Sequence, residues 1–387
     1  MVPLNQKING ERYNAKKSIM RGKQMKFEKE KLSLEEGLKR EWLITNGIGG
    51  YSSSTILGAN TRKYHGLLVA PLMPPGNRQV ILSKIDENIE IDGKSHNLYT
   101  NMCENYISDG YKNLVSFEKE YIPIFTYQVE DTMIKKFVCM EHGKNTVAVF
   151  YYIKNGDKKA KLTMAPIMNF RGFHTTNEKN KIDLYQEVDK NKVKLVIDNH
   201  SQNPVYIYLS DGNYIKHEND MFRDMYYIEE EKRGLGAKEN HVVPGRYEVD
   251  IEANEEKYIT FICSLEQNIE ELNGKDLINK EIIRLSSLIY NTYYLDEKNK
   301  EAKDKEYVEM IKNFVISADN FVAYRPSFAL YTLLAGYHWF LDWGRDTLIA
   351  FEGILLKTKR YKEAKEVLLT CIRDLRFGLV PNRIFWI

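Results

Sequence analysis

The run TVAVFYYIKNGD (Thr146–Asp157) decides the fold class of this chain. Up to Ile153 it consists of β-branched, aromatic and alanine residues, and Asn155-Gly156 then provides a tight turn. Short β-rich runs separated by turn signals recur from Glu41 to about Leu265. Because this region lacks the helix-length amphipathic stretches of βαβ units, the pattern predicts a large antiparallel β-sandwich over residues 41–265.

Other β-rich runs in this region predict further strands, and two more Asp-Gly turns separate strand-like segments. The runs are Tyr64–Val69, Gln79–Leu82, Asn88–Ile91, Phe125–Val129 and Val193–Ile197, and the turns are Ile91–Lys94 and Ser210–Asn213. Residues 1–40 are interpreted as an N-terminal extension and lead-in to the sandwich.

After about Gln267 the apolar residues follow the helical period of 3.6. This change predicts a helical linker over residues 266–300, as one connector or two short helices, with a solvated joint at Asp296–Glu306. A second domain, residues 301–387, is predicted to begin with the helices Tyr307–Ala323, Asp342–Lys357 and Tyr361–Leu375. The last helix has one apolar face, formed by Ala364, Val367, Leu368, Cys371 and Leu375.

The composition is that of a globular protein with a buried core. The 387 residues carry 56 Lys+Arg against 54 Asp+Glu, a net charge of +2, so nucleic acid is not a predicted partner. Hydrophobic residues make up 43% and charged residues 28%, which excludes a wholly disordered or collagen-like chain. No apolar run reaches membrane-helix length and the Lys-rich start lacks the apolar centre of a secretory signal, so we expect a cytoplasmic protein with no membrane partner.

The four cysteines lie far apart and form no Cys-x-x-Cys pair. They are predicted to be reduced, buried thiols, and the sequence predicts neither a metal site nor a disulfide framework. The 26 tyrosines suit burial, but they also suit contact with sugars, whose ring faces are apolar and whose edges carry hydroxyls.

The segment AGYHWFLDWGRDT (Ala335–Thr347) concentrates aromatic, carboxylate and guanidinium groups where a loop enters a predicted helix. One interpretation is structural, with Asp342 capping the helix and the aromatic rings packing in a core. The other is a sugar-binding site, where an indole supports the ring face, carboxylates accept hydrogen bonds from hydroxyls and a guanidinium donates them. Its candidate substrate-binding residues are Trp339, Asp342, Trp343, Arg345 and Asp346.

Glycoside hydrolysis usually requires two carboxyl groups, one on each side of the bond. If Asp342 and Asp346 share a helix face, their Cβ atoms lie about 5–6 Å apart, too close for an inverting pair, whose carboxyl groups are about 6.5–9.5 Å apart. Both are also expected near a helix N-terminus, where the dipole lowers the pKa, contrary to the need of a general acid. We therefore predict that Arg345 and Asp346 hold substrate hydroxyls, with Asp346 only a fallback candidate for catalysis.

Two segments of the predicted sandwich carry weaker signals. The glycines of Glu41–Ser52 lack the spacing and the following helix of a phosphate-binding loop, so nucleotide binding is not predicted. In the run Asn60–Val69, His65 is interpreted as a structural residue. The alternative is that the polar residues of this run reach a partner domain or the edge of a sugar site.

Three stretches carry a family resemblance: EWLITNGIGGYSSSTILGANTRKYHGLLVA (Glu41–Ala70), AGYHWFLDWGRDTLIAFEGILL (Ala335–Leu356) and GLVPNR (Gly378–Arg383). They resemble bacterial and archaeal glycogen debranching enzymes of the amylo-α-1,6-glucosidase type, over about Met25 to Arg383. The resemblance implies an N-terminal β-sandwich, a catalytic (α/α)6 barrel, and hydrolysis with inversion of an α-1,6-linked glucose on glycogen or another branched α-glucan. It implies no cofactor, and it implies that Arg345-Asp346 holds hydroxyls of the terminal glucose. Asn382 and Arg383, in the third stretch, are further candidate substrate-binding residues.

The chain also departs from this family pattern. The family's general acid is an Asp in a Thr-Trp-Met-Asp type motif and its base is a later Glu, and neither motif occurs here. A barrel of twelve helices needs upwards of ~200 residues. We therefore expect a whole N-terminal domain and the truncated start of a glucosidase domain, inactive alone, with Met25 the family-like start and residues 1–24 an upstream extension.

Two alternatives stand beside the enzyme fragment. The first is a non-catalytic glucan-binding β-sandwich module, which binding of glycogen by residues 25–265 alone would support. The second is an insoluble product without function, because an incomplete barrel would expose apolar helix faces.

Overall fold

The computed structural model describes residues 25–29, 33–198, 200–218, 220–294, 305–373 and 375–382. The predicted extension (residues 1–24), most of the joint Asp296–Glu306 and the end from Arg383 to Ile387 lie outside the described residues. The helices are α1 (Leu34–Lys39), α2 (Ile228–Glu231), α3 (Gly274–Tyr294), α4 (Lys305–Asp319), α5 (Gly344–Phe351) and α6 (Tyr361–Arg373). A π-helical turn (Glu352–Leu356) continues α5, and Asp109–Lys112 is a 3-10 helix.

The strands up to residue 172 are β1 (Met25–Glu28), β2 (Glu41–Thr45), β3 (Tyr51–Thr55), β4 (Gly66–Met73), β5 (Gly76–Ile91), β6 (Lys94–Asn97), β7 (Met102–Cys103), β8 (Tyr106–Ile107), β9 (Leu114–Lys119), β10 (Pro123–Val129), β11 (Thr132–Met140), β12 (Thr146–Lys154) and β13 (Ala160–Gly172). Those after it are β14 (Leu184–Asp189), β15 (Lys192–Ile197), β16 (Val205–Leu209), β17 (Asn213–Lys216), β18 (Met221–Tyr226), β19 (Lys238–Val242), β20 (Gly245–Ile251), β21 (Glu256–Ser264), β22 (Val322–Arg325) and β23 (Leu330–Leu333).

Two large sheets dominate the described part of the chain. The first has nine strands in the order β1-β9-β10-β11-β12-β21-β16-β15-β14. The second has ten, with the main order β17-β20-β13-β5-β4-β3-β2, β6 beside β5, and β19 between β13 and β18. Neighbouring strands run antiparallel, which confirms the predicted antiparallel sheets. Since β1 pairs with β9, part of the predicted lead-in belongs to the first sheet.

One hydrophobic core lies between the two sheets because their strands alternate buried and accessible positions. In β10 of the first sheet, Phe125, Tyr127 and Val129 are buried and alternate with more accessible residues. They share a core cluster with Ile85 and Ile89 of β5 in the second sheet. The predicted domain bounds at residues 41–265, 266–300 and 301–387 stay a prediction.

The predicted strands Gln79–Leu82 and Asn88–Ile91 are the two ends of one long strand, β5. Two polar residues between them, Lys84 and Glu87, are buried because residues outside β5 supply their partners. Glu87 accepts a hydrogen bond from the Tyr151 hydroxyl (2.7 Å), and the Lys84 ammonium donates to a backbone carbonyl (2.7 Å). Such partners are invisible to a local pattern.

Only one of the three predicted turns joins two paired strands. Asp92 and Gly93 have positive φ angles of 51° and 73° and link β5 to its neighbour β6. The turns at Lys154–Asp157 and Ser210–Asn213 carry the chain from the first sheet to the second, since β12 and β16 lie in one and β13 and β17 in the other.

The predicted connector is a single helix, α3, which packs on the outer face of the first sheet. Leu277 and Ile278 of α3 share a cluster with Phe150 and Ile262 of that sheet. A Cβ at Gly274 would lie 2.9 Å from the Phe150 Cβ, so the helix begins in close contact with β12.

Helix α4 ends at Asp319, earlier than predicted, because Val322–Arg325 pairs with β23 as a hairpin. The Asp319 carboxylate is buried and accepts hydrogen bonds from Arg284 of α3 and from Arg360, which precedes α6, both at 2.6 Å. The Asp319 carboxylate therefore connects the end of α4 to α3 and to the start of α6.

Two sequence predictions were partly wrong about burial. In α6, Leu368 is 39% exposed, and Leu375 after the helix is 40% exposed, so the buried face is narrower than predicted. None of the four cysteines forms a disulfide, and Cys103, in the two-residue strand β7, is only half-buried. No helix in the described part of the chain is long and apolar enough to cross a membrane.

Candidate functional site

A closed loop, residues 335–342, precedes α5. The Ala335 N–H donates to the Leu341 carbonyl (2.8 Å), which closes the loop. Helix α5 starts at Gly344 with Trp343 as its N-cap, and no side chain caps it. The predicted helix start at Asp342 was therefore wrong, and Asp342 neither caps the helix nor lies on it with Asp346.

Asp342 is a buried structural carboxylate. It is 1% exposed, and its Oδ2 accepts hydrogen bonds from Arg325 Nη1 (2.5 Å) and the Thr332 hydroxyl (3.2 Å). Burial raises the pKa of Asp342 even though the Arg325 guanidinium acts in the opposite direction. The expectation of a lowered pKa was wrong. Arg325, seventeen positions upstream in sequence, donates to this carboxylate, and its contact with substrate stays a prediction.

Arg345 and Asp346 occupy the first turn of α5 and face outward. Their side chains are 69% and 40% exposed, with Arg345 Nε 3.8 Å from Asp346 Oδ2. That oxygen is itself buried, although the Asp346 side chain as a whole is 40% exposed, and it accepts no hydrogen bond from the described residues. The pair therefore presents a donor and an acceptor near a helix N-terminus, an arrangement suited to neutral, hydroxyl-bearing ligands.

The segment that contains Asn382 lies against the start of α5. The Gly344 N–H donates to the Asn382 carbonyl (3.0 Å), and a Cβ at Gly344 would lie 2.3 Å from the Pro381 carbonyl oxygen. Asn382 is exposed, and Arg383 lies outside the described residues. The structure thus brings two of the quoted sequence stretches together beside Arg345, which their separation along the chain did not reveal.

Arg78 of the sandwich anchors the loop 335–342. Its guanidinium is buried and donates to the carbonyls of His338 (3.0 Å), Phe340 (3.3 Å) and Gly49 (2.8 Å). The Tyr337 ring lies 4.9 Å from its carbon, so carbonyls and aromatic faces replace water around the cation. Sequence reasoning missed Arg78, since its loop partner is 260 positions away.

His65 is structural, as interpreted from the sequence. It is fully buried, and its Nδ1 accepts a hydrogen bond from the Thr61 N–H (3.1 Å). Nε2 therefore carries the proton and faces Glu41 Oε2 at 3.6 Å. Glu41, His65 and His338 lie close enough to be considered as metal ligands, but this tautomer leaves His65 no lone pair toward the group. Burial lowers the pKa of His338 to about 3, so its ring is neutral and pairs with the Ser53 hydroxyl (3.0 Å).

The two candidate tryptophans occupy different surroundings. Trp343 is half-buried beside Phe340, edge to face, with ring centroids 6.2 Å apart. Trp339 packs against the second sheet, with its ring 5.7 Å from that of Tyr64 in an edge-on contact. Of the candidate residues, Trp343, Arg345, Asp346 and Asn382 gather at the start of α5, whereas Trp339 meets the sandwich and Asp342 is buried.

Two family models match this chain. A family model described as glycogen debranching enzyme N terminal matches residues 40–258, and one described as amylo-alpha-1,6-glucosidase matches residues 316–385. A glycogen debranching enzyme of Saccharomyces cerevisiae is 48% identical over 40 residues, which are 10% of this chain and 3% of that protein. The chain thus matches only a small share of this curated relative.

Two solved structures are similar at low sequence identity. A bacterial glucoamylase complexed with acarbose gives a TM-score of 0.42 at 12% identity, over 89% of this chain and 49% of its own. A putative kojibiose phosphorylase from human microbiome gives 0.36 at 12% identity, over 76% of this chain and 36% of its own.

Proposed function

Because the chain belongs to the glycogen debranching enzyme family, we propose that it binds branched α-glucan for the hydrolysis of α-1,6-glucosidic branch linkages. The observation that carries this proposal is the exposed Arg345–Asp346 pair at the start of α5, inside the segment that matches the amylo-alpha-1,6-glucosidase model. In this proposal Asp346 accepts hydrogen bonds from hydroxyls of the terminal glucose and Arg345 donates to them. Trp343 and Asn382 complete the site, and Arg383, which lies outside the described residues, stays a predicted substrate-binding residue.

The same geometry argues against proton transfer by these residues. Inverting hydrolysis needs a general acid and a general base about 6.5–9.5 Å apart. Asp342 is 1% exposed and paired with Arg325, so it is closed to substrate, and Asp346 then has no partner carboxylate within its own segment. We propose that the 387-residue chain binds glucan without cleaving it and without a cofactor. In this proposal residues other than Asp342 and Asp346 supply the general acid and the general base of the family reaction.

The finer organisation is also a proposal. We infer that α4, α5 and α6 begin an (α/α)6 glucosidase domain after a sandwich domain and a helical linker. Their outward apolar residues support this, since Phe314, Ile349 and Ile372 are 62%, 77% and 56% exposed, as expected of helices that pack against further helices. The absence of disulfides among the four cysteines supports a cytoplasmic location.

Calorimetric titration of the chain with a singly branched limit dextrin tests the proposal. Asp346→Asn is expected to weaken binding about tenfold or more, because a charged hydrogen-bonding partner is lost. Glu352→Gln is the matched control: it makes the same carboxylate-to-amide change at a 70%-exposed position of the π-helical turn. Equal affinities of Asp346→Asn and wild type, or release of glucose that survives Asp346→Asn, would contradict the assigned role.

A second candidate function, glucan binding by the sandwich alone, rests on a different feature. Tyr258 is 56% exposed and stacks with Tyr152, ring centroids 5.2 Å apart, on the outer face of the first sheet. Retardation of residues 25–265 by glycogen in a native gel would support this module. Retardation of only the whole chain would favour the site at α5.

A further inference from the structure

The surface of the sandwich that meets Trp339 carries an unusual set of polar groups. The guanidinium carbons of Arg62 and Arg233 lie 5.7 and 5.5 Å from the Trp339 ring. The indole is half-buried, and its Nε1 is itself buried, close to the Tyr64 hydroxyl but without a partner at full hydrogen-bonding geometry among the described residues. A packed structural tryptophan usually satisfies this donor, so the indole has bonding capacity left over.

Tyr64 and His174 add two neutral hydrogen-bonding groups at this place. The Tyr64 hydroxyl lies 3.2 Å from His174 Nδ1, and the imidazole of His174 is exposed. Burial, and then the nearby Glu230 carboxylate, raise the pKa of Tyr64, so its hydroxyl stays protonated. Burial and the charge of Lys63 lower the pKa of His174, so its ring is neutral at pH 7. Both groups can therefore exchange hydrogen bonds with hydroxyls.

Glu230 of α2 adds a carboxylate to this group of side chains. Its side chain is fully buried, Oε2 accepts a hydrogen bond from Arg233 Nη1 (3.3 Å), and Oε1 has no partner among the described residues. A buried carboxylate oxygen without a donor is costly, and a ligand hydroxyl would remove that cost. Arg233 is 44% exposed and lies over both Glu230 and Trp339, so it is the side chain whose movement would admit a ligand.

The two guanidinium groups of this cluster are each paired with a carboxylate. Arg62 binds Glu41 (2.7 Å), and Arg233 binds Glu230, while the Lys63 ammonium lies 5.5 Å from the Tyr64 ring as a third cation. A phosphate or another anion therefore gains little attraction from the two guanidinium groups. An aromatic ring edged by neutral donors and acceptors instead matches a sugar, with its apolar ring face and rim of hydroxyls.

We propose that Tyr64, His174, Glu230 and Arg233 of the sandwich form, with Trp339, an additional subsite for a glucosyl residue of the glucan chain. The inference rests on the proposed function, because it takes branched α-glucan as the ligand. It extends that function by making the sandwich part of the binding site. The loop 335–342, which carries Trp339, leads directly into α5 and its residues Arg345 and Asp346.

Fluorine NMR of the whole chain labelled with 5-fluorotryptophan tests the subsite. The chain has four tryptophans, and Trp339→Phe identifies one resonance. Maltoheptaose is expected to shift the Trp339 resonance in a saturable titration, whereas glucose, which is too short to span both places, is expected to shift that of Trp343. Tyr64→Phe and His174→Ala are each expected to weaken maltoheptaose binding about threefold to tenfold, the value of one lost hydrogen bond.

Lys232→Ala is the matched control, since Lys232 is exposed on the same turn and pairs with Glu229, which is not one of the five residues of the proposed subsite. It is expected to leave both titrations unchanged. If Tyr64→Phe and His174→Ala bind maltoheptaose like wild type while Asp346→Asn binds it more weakly, the subsite is refuted and the proposed function stands. If maltoheptaose and glucose shift no tryptophan resonance, both proposals are overturned.

Discussion

Replacing Arg325 with Met is expected to loosen the loop that positions Arg345 and Asp346. Arg325 is fully buried on β22, and its Nη1 lies 2.5 Å from Asp342 Oδ2. Asp342 ends the loop 335–342, so this ion pair fixes the chain just before α5 starts. The substitution keeps an apolar side chain of similar length and removes only the charged head.

Arg325→Met is expected to lower the free energy of opening this region by about 3–5 kcal/mol, because it leaves the Asp342 carboxylate buried without a compensating charge. The full cost is expected for this pair because Asp342 is 1% exposed and its Oδ1 accepts no hydrogen bond from the described residues. Adding Asp342→Leu removes the stranded charge as well. The double variant is therefore expected to lie within about 1 kcal/mol of wild type.

Amide hydrogen exchange in β22, β23 and α5 measures the free energy of local opening. About 3 kcal/mol corresponds to at least a hundredfold faster exchange in Arg325→Met. Arg373→Met is the matched control, because Arg373 is exposed yet lies over the same Phe328 ring, at 4.2 Å against 4.3 Å for Arg325. An increase of less than tenfold in Arg325→Met, or an equal increase in the control, would refute the assignment of a buried ion pair.

Three further outcomes are expected. Gly344→Ala places a Cβ 2.3 Å from the Pro381 carbonyl oxygen and should cost about 1–3 kcal/mol, measured as faster amide exchange at the start of α5; an unchanged rate would contradict the contact. Burial raises the pKa of Glu41, but His65 and Arg62 lower it by hydrogen bonding and by charge, and the net pKa is about 2 instead of 4.5. The stabilisation that Glu41 contributes to the folded state is therefore present above pH 4.5 and lost as the pH falls toward 2. Acid titration of Glu41→Gln should therefore show a flatter loss of stability over that range, and the same slope as wild type would argue against the shift. Ellman's reagent should label half-buried Cys103 first and Cys139 only on unfolding, since burial raises the pKa of the latter thiol far more; early labelling of Cys139 would count against its burial.

Local sequence patterns predicted the antiparallel sheets and the approximate helix positions, because alternation and the 3.6 period follow from burial of one face. They failed where partners are remote in sequence. The two ends of β5 were predicted as separate strands because the residues between them are polar, yet Glu87 in that stretch accepts a hydrogen bond from the Tyr151 hydroxyl. Asp is a common N-cap residue, so the sequence favours a helix start at Asp342. In the structure the Asp342 carboxylate instead accepts a hydrogen bond from Arg325.

The sequence by itself determined the residue types of the candidate site, since Arg345-Asp346 and the tryptophans form one continuous segment. Only the tertiary structure decided which of them are accessible. Asp342 and Asp346 are chemically alike and close in the chain, but one is buried against Arg325 and the other is exposed at the start of α5. The physical reason is that a carboxylate's role depends on desolvation and on the nearest cation, and both are set by strands distant in sequence.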